Sequence, residues 1–210
     1  MSKINASSEV DSDSDSEPCN MDDSNSEKSS ILKKMMETQN MYYNKNSKNT
    51  FFKKSQKMEC AKEICKNIDI YDMIANSIYV ILNTNKIYID YTMFKLYANP
   101  DNFDIIISHI INTCRYLITY HKTFEVYINL ENFTVSAAER YKGLIQKYVS
   151  CCLNENTDFS TLMAKMNILN SPSVIELIVK IIKPMVDKNI VDKVFFFKKE
   201  ESMNIIKNLK

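Results

Sequence analysis

The chain of 210 residues carries 27 Lys and Arg against 26 Asp and Glu, with two His, six Cys and one Gly. That length holds one domain of about 150 residues and a tail. With Gly143 alone, neither a phosphate-cradling loop nor a dinucleotide fingerprint can be written, because both need glycines where backbone meets phosphate.

The six cysteines form no CxxC pair and the two histidines complete no zinc set, so no metal site is suggested. Reduced, mostly buried thiols of a cytosolic protein are expected. No apolar leader and no run of about eighteen apolar residues occurs, which argues against secretion and membrane spanning. Heavy use of Asn, Lys and Ile suggests an AT-rich genome, such as that of a protist or a large DNA virus.

Charge is unevenly spread. Residues 1–27 hold eight acids against Lys3, whereas residues 28–66 hold ten lysines against Glu37, Glu59 and Glu63. Residues 1–54 read as a disordered acidic tail and basic linker, with too little apolar surface to offset the entropy of ordering. Ser12, Ser14 and Ser16 alternate with acids as acid-directed kinases favour, although a plain solubilising acidic tail is the better explanation.

The domain is expected over 55–210. From Ser55 to about Asn76, Met58, Ala61, Ile64 and Cys65 and then Ile70, Met73 and Ile74 predict two short helices broken near Asn67 and Asp69. Ile78–Leu82, the Asn83-Thr84-Asn85 turn and Ile87–Ile89, continuing loosely to Leu96, predict a hairpin. After Pro100, Phe103, Ile106, Ile107, Ile110, Ile111, Cys114, Leu117 and Ile118 keep helical spacing.

Phe124–Leu130 alternates as a strand, and Ser136 and Glu139 stand at capping-box spacing before a helix running to Cys152. A polar loop, Asn154–Asp158, follows. Met166–Leu169, the Asn170-Ser171-Pro172 turn, a helix from Pro172 or Ser173 to Asp187 and Val194–Phe197 then make a strand, helix, strand unit. Glu200–Leu209 reads as a closing helix. Together these predict an α/β fold with a mixed, mainly parallel sheet and helices on both faces.

The closing unit resembles the CRAL-TRIO family of lipid-transfer domains, on Asn170 and Pro172, the helix, Lys183-Pro184 with Asp187, and Lys193 before the last strand. The segment Ile128–Tyr141 is similar to the family's strand, turn and helix, with Asn129 for the usual Asp and Asn132 for the usual Gly. Phe159-Ser160-Thr161 stands in place of Tyr-Pro-Glu, which puts Thr161 at an acidic position, while Lys193 falls on the family's lysine. The resemblance implies that the helix after Pro172 is a gate, bent near Pro184.

It further implies non-catalytic binding and exchange of a lipid in a cavity beneath that gate, with ligand contacts from Ile178, Ile182, Met185, Phe195 and Lys193. The expected partners are a phospholipid or other apolar molecule and, transiently, a membrane surface, in a cytoplasmic protein peripheral to membranes. Neither a cofactor nor a nucleic-acid partner is expected. The alternative is a protein-interaction module whose cavity is filled by side chains. An enzyme would need a pair such as Cys114 with His109 or His121, and no orienting motif accompanies either.

Overall fold

The computed structural model describes residues 21–46, 53–153 and 157–209, with side chains described from residue 26. The serine-acid alternation, Cys19, Lys48, Phe51, Phe52 and residues 154–156 of the expected polar loop lie outside the described residues.

Helix α1 (Met21–Lys45) corrects the expectation of an unordered chain to residue 54. Its apolar residues are few but correctly spaced: Ile31 and Met35, one turn apart, are buried in the main core, and Leu32, Tyr42 and Tyr43 pack beside them. Helices α2 (Lys53–Asn67) and α3 (Ile70–Ser77) follow, separated where Asp69 caps α3 by accepting from the Tyr71 and Asp72 amides.

Strands β1 (Ile78–Val80) and β2 (Lys86–Asp90) form the antiparallel hairpin, with Asn83 in the left-handed region at φ 58°. Asp90 ends β2 sooner than the sequence suggested. Its carboxylate accepts from the Thr92 amide at 3.0 Å and the Thr92 hydroxyl at 2.6 Å, so residues to Leu96 become helix α4 (Tyr91–Tyr97). The N-terminal helices pack around α4 and share one apolar core with the sheet.

Helix α5 (Phe103–His121) leads to β3 (Phe124–Asn129), and helix α6 (Val135–Leu153) follows. The cap of α6 is Thr134, whose hydroxyl accepts from the Ala137 amide at 3.2 Å. Ser136 therefore lies inside the first turn, and the expected Ser136–Glu139 box is displaced by an earlier start. After one turn of helix, α7 (Phe159–Leu162), strand β4 (Met163–Leu169) begins three residues before its apolar run.

The helix expected from Pro172 or Ser173 to Asp187 is shorter than predicted. Helix α8 spans Ile175–Ile182 and tightens to a 3-10 turn, Lys183–Met185, around Pro184, which has no amide hydrogen to continue the ladder. Pro172 sits in the turn before it, accepting from the Ile175 amide rather than opening the helix. A further single turn, α9 (Lys188–Val191), precedes β5 (Val194–Phe196) and the closing helix α10 (Lys199–Asn208).

The five strands lie in the order β1-β2-β3-β4-β5, with β2 to β5 all parallel. Two rows of side chains cross its front face: Ile87, Val126, Met166 and Val194, then Ile89, Ile128, Ile168 and Phe196. The back face carries Tyr88, Tyr127, Asn167 and Phe195 in the intervening row, and a second apolar cluster forms there with Leu169, Leu209 and partly buried Ile205 and Ile206 of α10. Helices thus cover both faces of a mixed, mainly parallel sheet.

Candidate functional site

The two front rows floor a cavity of about 670 Å³. Its walls come from α5 (Ile107, Ile110, Cys114) and α6 (Leu144, Ile145, Tyr148), and α8 closes it with Ile175, Ile178, Val179 and Ile182. Alternation along the strands explains the apolar floor, since every second residue of β2 to β5 must face this side. The volume falls within the ~300–1,000 Å³ of small-molecule pockets.

Charged lining residues gather at one end. Asp158, Lys183 and Asp187 lie where the chain enters α7, leaves α8 and enters α9. Asp158 accepts from the Thr161 hydroxyl at 2.6 Å, the Ser160 hydroxyl at 2.8 Å and the Thr161 amide at 3.0 Å. These hydrogen bonds, from Thr161 first, hold its carboxyl down to about 2. The site is a greasy chamber with a polar rim at the start of β4 and β5.

The residues singled out in sequence do not all converge here. Ile178, 2% exposed, and Ile182 line the cavity. Phe195 instead points to the back face and is 45% exposed, because its neighbours Val194 and Phe196 take the two inward positions of β5. Met185, in the 3-10 turn, is also outside the lining, where Lys183 and Val186 stand.

Lys193 meets the chain itself. Its ammonium donates to the carbonyls of Ser160 at 2.8 Å, Thr161 at 3.0 Å and Met163 at 2.8 Å. Three donors and three acceptors make a C-terminal cap for α7 and tie β5 to the start of β4. Thr161 supplies a hydroxyl to Asp158, so the polar rim is organised by Asp158, the last residue of the expected polar loop.

The thiols are quiet. Burial pushes Cys114 up to about 12 and Cys60 up to about 11. The His109 ring Nε2 hydrogen-bonds the Ile78 carbonyl at 2.9 Å. No disulfide joins Cys60, Cys65, Cys114, Cys151 and Cys152, and no group of three metal-ligating side chains occurs among the described residues. No helix among them is long and apolar enough to cross a membrane.

Comparison with protein families gives a match to the model described as the CRAL/TRIO domain, over residues 76–209. It begins at the end of α3 and includes the whole sheet, the cavity and α10. Comparison with curated proteins gives no match.

Proposed function

Because the chain belongs to the CRAL/TRIO domain family, whose members bind small lipophilic molecules, we propose that it holds and exchanges one amphipathic lipid in the chamber under α8. The observation that carries this reading is the volume itself, about 670 Å³ with an almost wholly apolar lining. An interaction module with a filled cavity would need side chains where that space lies, so the volume favours the carrier. The family assignment agrees with a role in binding and exchange without bond chemistry.

The energetics suffice. About ten methylenes leaving water contribute ~8 kcal/mol, the free energy of a micromolar Kd before association costs are subtracted. The ligand's polar head rests at the Asp158, Lys183 and Asp187 end, where opposite charges supply both donors and acceptors. Ile178 and Ile182 contact its chain.

Exchange requires α8 to move, and α8 is lightly held. Of its eight residues only Ile178 is fully buried, whereas Leu177 is 51% and Val174, just before it, 38% exposed. Its outer face can therefore rest on a membrane surface while the inner face opens.

Native mass spectrometry of the full chain, followed by lipid extraction, should find one apolar molecule per protein. Ile178→Ala truncates the helix's one fully buried side chain and should speed transfer of a fluorescent phosphatidylcholine between vesicles, with a stability loss smaller than the ~2–5 kcal/mol of a packed-core truncation. Absence of any extractable lipid together with no transfer in either protein would refute the carrier.

A further inference from the structure

The volume of the chamber limits how much lipid it can enclose. A methylene group is about the size of a water molecule, whose share of a liquid is ~30 Å³, so about 670 Å³ takes roughly twenty-two such groups. Dipalmitoyl phosphatidylcholine has about fifty non-hydrogen atoms and on the same scale needs more than twice that space. Its single-chain relative, palmitoyl lysophosphatidylcholine, has about thirty-three, of which the acyl chain and glycerol take about twenty-two and the phosphocholine head the rest. One chain with its glycerol fills the chamber, and a second chain has no place inside.

The shape agrees with one chain lying across the strands. The lining runs from Ile78 on β1 to Phe196 on β5, four interstrand spacings of ~4.8 Å or about 19 Å in all. One end is blind, closed by the buried rings of Tyr91, Phe94 and Tyr141, with Phe94 and Tyr141 centroids 5.3 Å apart. At the other end Leu153, Val191 and Phe196 line the cavity and are exposed, so the mouth lies there.

Charge at the mouth selects the head. The charged residues of the lining are two carboxylates, Asp158 and Asp187, and one ammonium, Lys183. The two acids cap α7 and α9, which pack together, and the 3-10 turn that begins at Lys183 packs on α6. Lys193 is outside the lining, its ammonium protons on three carbonyls. A free carboxylate would pair with Lys183 alone and face both acids, whereas a zwitterionic head sets its phosphate by Lys183 and its ammonium by Asp158 and Asp187.

From volume, shape and rim together we infer that the ligand is a single-chain zwitterionic lipid, a lysophospholipid, with its tail at the ring wall and its head at the mouth between α7 and α9. This rests on the carrier reading and narrows it. A diacyl lipid seats one chain and leaves the other outside, so it is held more weakly than its single-chain relative.

The full chain, stripped of lipid, is titrated by calorimetry with palmitoyl lysophosphatidylcholine and with palmitate, both below micelle-forming concentration. The lysolipid should bind one to one and at least about tenfold tighter than palmitate. Native mass spectrometry after incubation with dipalmitoyl phosphatidylcholine vesicles carrying a small share of the lysolipid should find the lysolipid retained. Lys183→Gln and Asp187→Asn should each weaken lysolipid binding severalfold, the Asn keeping the cap of α9. Ile87→Phe, which narrows the floor, should weaken a stearoyl lysolipid more than a lauroyl one, and Ile89→Phe gives the same reading should Ile87→Phe not fold. Retention of the diacyl lipid, palmitate binding as tightly as the lysolipid, or indifference of both Phe variants to chain length overturns the inference and leaves the carrier standing. Binding of no lipid of any kind overturns both.

Discussion

Lys193 shows how a residue with a charge can be occupied by its own chain. The sequence places it before the last strand, where the family resemblance suggested a contact to a lipid head, yet all three ammonium protons have carbonyl partners in α7 and β4. Hydrogen bonds to charged groups contribute about 1.5–3 kcal/mol net, so Lys193→Ala should lower stability by that order. Denaturant unfolding checks the loss, and a transfer assay with neutral and anionic lipids should show both affected alike. A mutant of unchanged stability that discriminates between the two lipids would return Lys193 to the headgroup. Arg140 is the converse case: its charge is as plain in the sequence as that of any lysine, but only packing reveals that it is buried against the Tyr91 hydroxyl and the Tyr141 ring.

Among the elements, α1 is the one whose status changed most between sequence and structure. Its buried Ile31 and Met35 are each worth about 1.5–3 kcal/mol, and Lys28 adds a partly buried bridge to Asp90 at 3.4 Å. Removing residues 1–46 should therefore lower the unfolding midpoint by roughly 10 °C or more, against a chain lacking only residues 1–20 as reference. Equal midpoints would restore a domain that starts at residue 55.

The hairpin, α5, β3 and the β4-α8-β5 unit were legible because long runs of Ile, Val and Phe kept one period over many residues. Helix α1 was not, since two buried side chains among residues 26–45 leave a mean composition that looks like a linker. Single turns such as α7 and α9 carry too few residues to show any period. For the site, sequence marked the helix that closes the cavity and two of its inward residues, Ile178 and Ile182. It missed the alternation that turns Phe195 away and could not show the volume, which depends on how far helices stand from the sheet.

At the scale of the whole molecule, the sheet is open at both sides, with β1 at one margin and β5 at the other. Strand β5 is short, three residues, and both Phe195 and Phe196 are 45% exposed along a margin that no further strand pairs with among the described residues. Such an edge is a template for aggregation, and chains guard it with charge, which here comes from Lys198 and Lys199 immediately after the phenylalanines. The guard matters most when α8 lifts away, because Phe196 is then exposed on the chamber side as well. On the proposed carrier function, colloidal stability is thus tied to the same movement that would admit a ligand. Light scattering of a concentrated solution should rise on replacing Lys198 and Lys199 together by Gln and fall again when lipid is supplied, so that the empty carrier is the form prone to assemble edge to edge.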